Sequence, residues 1–117
     1  MKLLLFTLIC FSLISFGNKN EVKLSFKNDS NENFEKLEVN IRGKKYAFAN
    51  LKAHKKTASI NVNETYRYCF TKVITEKDTL IIQPEDFVGE ELITEGSYTM
   101  KFNIISKNGK RYLIVKK

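Results

Sequence analysis

The ten residues Gly96-Ser97-Tyr98-Thr99-Met100-Lys101-Phe102-Asn103-Ile104-Ile105 constrain the fold more than any other stretch of the chain. Tyr98, Met100, Phe102 and Ile104 fall on one parity, and Ser97, Thr99, Lys101 and Asn103 on the other. Successive side chains of a strand point to opposite faces, so this is a strand with one buried and one wet side. Lys107-Asn108-Gly109-Lys110 follows, and then the apolar run Tyr112 to Val115. Asn-Gly supplies two residues that tolerate positive φ, as a two-residue type I′ turn requires. The pattern predicts a hairpin against which earlier strands pack.

The same two-residue rhythm recurs upstream. Val22, Leu24 and Phe26 alternate with Lys23, Ser25 and Lys27, then Leu37, Val39 and Ile41 with Glu38, Asn40 and Arg42. Between them Asn28 to Asn33 is a turn-forming cluster, with Phe34 expected to pack on the core from the loop. Gly43-Lys44 is the expected tip of a second hairpin, whose return strand carries Tyr46 and Phe48 on one face and closes at Leu51. Ala58, Ile60 and Val62 predict another strand, Thr65 to Ile74 a longer one, and Thr79 to Gln83 a short one. Pro84 ends the last of these, because it has no amide proton to give a ladder. From Pro84 to Glu95 no strand period survives, and Pro84 followed by Glu85 and Asp86 suits one helical turn. About seven or eight short strands at this spacing predict an all-β fold, an antiparallel Ig-like β-sandwich, with a small β-barrel as the alternative.

The first residues read as an address. Met1-Lys2 is basic, Leu3 to Ile14 is apolar, and Ser15-Phe16-Gly17 sets small residues before an expected cut ahead of Asn18. That is the layout of a signal peptide over 1–17, leaving one domain over 18–117. The apolar run is shorter than the roughly 20 residues of a membrane-spanning helix. The expected location is therefore secreted or periplasmic, with no stable membrane span. Cys10 raises a lipid-anchored envelope protein as the alternative, but bulky Ile9 precedes it where such sites carry a small residue. In the mature chain Cys69 would be the sole cysteine, so no internal disulfide is expected and the apolar core must hold the fold.

The formal charge is +7 and unevenly spread. Residues 36–72 carry nine bases against two acids, residues 76–95 seven acids against Lys77 alone, and residues 97–117 six bases and no acid. A basic balance suits polyanions, but the expected export argues against nucleic acid, and none is expected as a partner. The acids Glu85, Asp86, Glu90, Glu91 and Glu95 lack the regular spacing of a calcium loop. His54 stands alone among lysines with only Cys69 as a soft companion, so neither metal nor cofactor is expected. No Gly-x-Ser-x-Gly elbow and no glycine-rich phosphate loop occurs. Asp86 and Glu90 are the carboxylate pair that a small hydrolase would use. Asn28-Asp29-Ser30 and Asn63-Glu64-Thr65 match glycosylation sequons.

Gly96-Ser97-Tyr98 resembles the Gly-x-Tyr strand start of Ig-like and fibronectin-like sandwiches, which implies a structural role for Gly96 and a tyrosine-corner hydrogen bond for Tyr98. Tyr66-Arg67-Tyr68-Cys69 is similar to the immunoglobulin Tyr-x-Cys, but Arg67 stands two before Cys69, no second mature cysteine exists and tryptophan is absent. Those departures argue against a true immunoglobulin domain. Tyr68-Cys69-Phe70, Asp78-Thr79 and Gln83 to Glu90 together resemble small secreted β-sandwich proteins of the Bacteroidota, a resemblance that implies no activity.

Function is expected from Gln83 to Gly96, the longest irregular stretch. Long loops on rigid sandwiches carry binding, and this one gathers negative charge in a basic protein. Asp86, Phe87, Glu90 and Glu91 are the candidate binding residues of a non-enzymatic module whose partner is a protein or a glycan. A secreted hydrolase inhibitor and a small carboxylate-dependent hydrolase are the alternatives.

Overall fold

A computed structural model describes residues 21–116. The expected signal peptide over 1–17, its cut ahead of Asn18 and Cys10 lie outside the described residues. Eight strands form: β1 (Val22–Asn28), β2 (Phe34–Ile41), β3 (Lys44–Leu51), β4 (Ile60–Val62), β5 (Phe70–Ile74), β6 (Thr79–Ile82), β7 (Gly96–Lys107) and β8 (Lys110–Lys116). They make two four-stranded sheets, ordered β4-β1-β7-β8 and β3-β2-β5-β6. Among the described residues there is no helix, and the sheets do not close into a barrel. The fold is a β-sandwich.

The alternating residues do what their parity requires. Val22, Leu24 and Phe26 from β1, Leu37, Val39 and Ile41 from β2, and Met100 and Phe102 from β7 meet in one core with Phe34, Val73 and Leu113. The Phe26 and Phe102 rings stack at 6.2 Å across neighbouring strands, and Phe48 approaches Phe26 at 5.5 Å from the other sheet. Tyr46, Phe48, Tyr98 and Ile104 pack on the rim of the core.

Both expected hairpins have two-residue turns. Asn108 and Gly109 adopt φ 53° and 77°, and Lys107 pairs with Lys110. The other turn is Arg42-Gly43, with φ 53° and 93°, so Lys44 belongs to β3 and the expected tip shifts by one residue. Neighbouring Asn40 fixes it by accepting the Gly43 N–H at 2.9 Å.

Four features depart from the alternation. The sheets are not wholly antiparallel: β1 runs parallel to β7, from Val22 opposite Gly96 to Asn28 opposite Phe102. Parallel neighbours need a long connection, and here the whole second sheet together with β4 supplies it. Phe34 opens β2 rather than lying in a loop, and Leu51 opposite it is buried too. Both sit off the parity of the rest of their strands, because Asn50 takes φ 54° and turns the chain over beside Glu35. The strand expected from Thr65 begins only at Phe70, with Cys69, Thr71 and Val73 as its inward residues. The helical turn expected between Pro84 and Glu95 does not form.

Two polar knots, one buried and one half-buried, finish the end of the sandwich where the β1–β2 loop lies. Asn28 is fully buried, and its amide donates to the carbonyls of Glu32 (2.7 Å) and Leu51 (3.0 Å). Its side-chain oxygen accepts from the Ser30 N–H (3.0 Å) and hydroxyl (2.6 Å), so all its capacity is used. The Asn28 sequon is thus closed to a glycan, whereas Asn63 of the other is exposed. Arg111, at the start of β8, forks onto two carboxylates. It meets Glu32 at 2.6 and 2.9 Å and Asp78, from the β5–β6 turn, at 2.9 and 3.2 Å. That fork draws β8 of one sheet towards β6 of the other, and the two edge strands lie close without sharing a ladder.

Candidate functional site

The irregular stretch 83–95 leaves the end of β6, crosses the end of the sandwich and returns at Gly96. Gly96 starts β7 with φ 89°, in the left-handed region that only glycine enters without strain. The loop is fastened at several points. Thr65 and Ile93 exchange both backbone hydrogen bonds, at 3.0 and 2.8 Å. The Glu90 N–H donates to the Phe87 carbonyl at 3.0 Å, with Gly89 at φ 79° supplying the turn. The Asp86 carboxylate accepts the Val88 N–H at 3.1 Å, and the Asp86 carbonyl accepts the Tyr68 hydroxyl at 3.0 Å. Arg67 and Glu91 form an exposed ion pair at 3.8 Å.

The main fastening is aromatic. Phe87 stacks on Tyr66 with centroids 4.3 Å apart and planes 9° from parallel, and on Tyr68 at 5.2 Å and 28°. The Arg42 guanidinium lies 5.4 Å from the Tyr66 ring centre, extending the stack to the β2–β3 turn. Stacked rings contribute about 0.5–1.5 kcal/mol per pair beyond their buried area. Burial, with Glu90 and Asp86 beside it, pushes the Tyr68 hydroxyl above its ordinary range, so it remains a donor.

Tyr68 walls two cavities. The smaller, about 210 Å³, is lined by Phe87, Tyr66, Pro84, Arg42 and the backbone leading into β5. The larger, about 500 Å³, opens between the edges of β6 and β8. Ile82, Leu113, Val115 and Tyr98 give it apolar walls, and Arg67, Glu90 and Lys116 stand at its polar margin. The Arg111 fork holds the two edges together at Asp78, and they part towards Ile82, where the cavity lies.

The four expected binding residues therefore divide. Phe87 turns inward, and Asp86, itself exposed, holds the loop through the Val88 N–H and the Tyr68 hydroxyl, whereas Glu90 and Glu91 stand exposed beside Val88, which is 88% exposed at the tip. Tyr98 lines the larger cavity, and its hydroxyl makes no hydrogen bond to another described residue, so the expected corner bond is not formed. Tyr66 and Tyr68 fall within the strand expected over Thr65 to Ile74, but they precede β5 and lie under the loop instead. The signal for this was the Tyr-x-Tyr spacing just outside the true start of β5, matched by one phenylalanine inside an acidic loop.

Two other reactive side chains are spent elsewhere. His54 sits in the loop after β3 and meets Asn31 Oδ1 at 3.0 Å. Cys69 is buried, 3.8 Å from the Met100 sulfur, and burial pushes its thiol up to about 11, which leaves it protonated and unreactive at neutral pH. Among the described residues no three His, Cys, Asp or Glu side chains gather into a metal-binding set. No described helix is long and apolar enough to cross a membrane.

No protein-family model and no curated protein sequence matches the chain. Among solved structures, it is similar to one described as the NMR structure of the protein from Eubacterium rectale, with a TM-score of 0.59 and 12% identity over 85% of this chain and 91% of that one. At that identity the likeness concerns the fold alone.

Proposed function

We propose that this protein is an exported, non-enzymatic binding module of the cell envelope or extracellular space, built on an Ig-like sandwich, and that its partner is a protein docking on the loop 83–95. One observation carries the reading: an irregular, acidic loop is pinned to the sandwich by Phe87 so that Val88, Glu90 and Glu91 face solvent. A fastened loop loses little conformational entropy on binding, which is how rigid scaffolds gain affinity. An exposed apolar tip ringed by acids suits a basic surface with a shallow apolar recess. The larger cavity beside Glu90 and Tyr68 has room for one or two apolar side chains of that partner.

Export follows from the apolar leader with its basic start and small-residue cut. Secretion and the periplasm are the two destinations it allows.

The reading is tested by exchanging Val88→Asp together with Glu90→Lys, which leaves in place the Phe87 stack and the backbone hydrogen bonds that fasten the loop. The exchange removes partner capture and leaves the unfolding midpoint in place; capture that survives it sinks the proposed contact. A second reading, inhibition of a hydrolase, is favoured by the same projecting Val88, since an apolar residue on a braced loop can enter a cleft. Inhibition assays against proteases and lysozyme separate the two.

A further inference from the structure

The outer face of the sheet β4-β1-β7-β8 carries four lysines in one row across the strands. Lys56 lies opposite Lys27 in an isolated bridge, Lys27 is the register partner of Lys101, and Lys101 is the partner of Lys116. Register partners share a face with Cβ atoms about 5 Å apart. At roughly 4.8 Å per strand the row is about 14 Å long. The Lys27–Lys56 bridge is of the non-hydrogen-bonded kind, flanked by Asn28 N–H to Lys55 O and Thr57 N–H to Phe26 O, so its two side chains are brought especially close.

Like charges directly opposite each other destabilise a sheet. The other sheet shows the ordinary arrangement: Glu38 pairs with Lys36 at 2.8 Å and stands opposite Lys72. On the lysine row the acid that pairs is Asp29, at 3.8 Å from Lys27 and 2.7 Å from Lys116. Lys56 and Lys101 have no ion pair among the described residues, and both are exposed. The row is a stripe, not a patch. Its neighbour on one side is the hydroxyl pair Ser25–Thr99, bonded at 2.9 Å, and on the other the pair Asn103–Ile114.

We propose that this stripe binds a linear polyanionic polysaccharide, a polyuronate being the simplest. Cations one strand apart in one line match a polymer carrying one carboxylate per sugar, and the half-buried Asn103 amide beside them suits its ring oxygens. A flat anionic membrane would be met better by a broad basic field with apolar residues inside it. The site lies on a sheet face and shares no residue with the loop 83–95, so it stands or falls separately from the partner proposed there.

The test is affinity electrophoresis of the intact protein in polygalacturonate, with neutral dextran as control and phosphatidylglycerol vesicles as a second arm. Three proteins are compared: the natural one, Lys56→Gln/Lys101→Thr, and Lys45→Gln/Lys77→Gln, which loses equal charge off the row. Polygalacturonate retards the natural protein, an effect that fades steeply as NaCl rises. The row variant binds about tenfold more weakly or less, yet unfolds at an equal or higher temperature because repulsion is relieved; the off-row variant binds as before. Absence of retardation, equal retardation of all three, or binding to vesicles alone overturns the proposal. So does a row variant that unfolds at a lower temperature, since the row would then be structural.

Discussion

The Phe87 ring lies flat on Tyr66, 4.3 Å between centroids, and this contact fixes where the acidic loop stands. Neither ring belongs to a strand. Among the described residues, the longest irregular segment is thus held by side-chain stacking together with the single Thr65–Ile93 bridge, not by a continuous ladder.

Phe87→Ala tests that statement. Phe87 is half-buried, so its loss costs less than a core phenylalanine, about 2 kcal/mol from two stacks and the apolar area uncovered. Denaturant unfolding measures the loss. Hydrogen exchange should also accelerate at Glu90 and Ile93, whose amides donate to the Phe87 and Thr65 carbonyls, and not at Met100 in the core. Equal exchange in both proteins would mean the loop is held by something else.

Arg111 makes stability depend on pH in a defined direction. Its guanidinium, bonded to both groups, holds the Glu32 and Asp78 carboxyls below their ordinary values of 4.5 and 3.8, with Thr75 helping at Asp78. A lowered native value contributes stability that is present above the unfolded value and lost as pH falls through the native one. Arg111→Met should therefore unfold at a lower temperature at pH 7, and its deficit should shrink as pH falls below about 4.5. Asp29 and Glu38, held down by Lys116 and Lys36, remain in the variant, so its acid limb is flattened rather than removed. Melting curves across that range decide it; a deficit constant with pH would contradict the ionic account.

Asn28 gives a sharper mutational contrast. Asn28→Ala strands the Ser30 amide and the carbonyls of Glu32 and Leu51 in a buried site, a loss of about 2–4 kcal/mol. Asn28→Asp keeps the acceptor but not the two donors, and should be no better. An Asn28→Ala protein with an unchanged unfolding midpoint would show that the knot contributes nothing.

The sheets were legible because alternation is a local signal: Leu37, Val39 and Ile41, or Met100 and Phe102, announce their burial by parity alone. The Asn108-Gly109 turn was equally local. What escaped was set at long range. The parallel docking of β1 on β7 depends on topology, which no short window contains. The parity change at Phe34 hangs on the φ of Asn50, sixteen residues away in sequence and next door in space. The loop 83–95 was recognisable as irregular and acidic, but the roles within it were not. Phe87 faces inward because Tyr66 and Tyr68 wait beneath it, and exposed Asp86 gives its carbonyl to the Tyr68 hydroxyl, pairings that span some twenty residues. The lysine row was invisible as well, since its members come from four separate segments.

The most direct test of the binding role is site-specific photocrosslinking in the native envelope or medium. Benzoylphenylalanine replaces Val88 at the loop tip in one protein and exposed Ala47 on β3 in another. A discrete adduct from position 88 that disappears with Glu90→Lys/Glu91→Lys, and none from position 47, is the expected result. The same adducts from both positions, or no adduct from position 88, would contradict it.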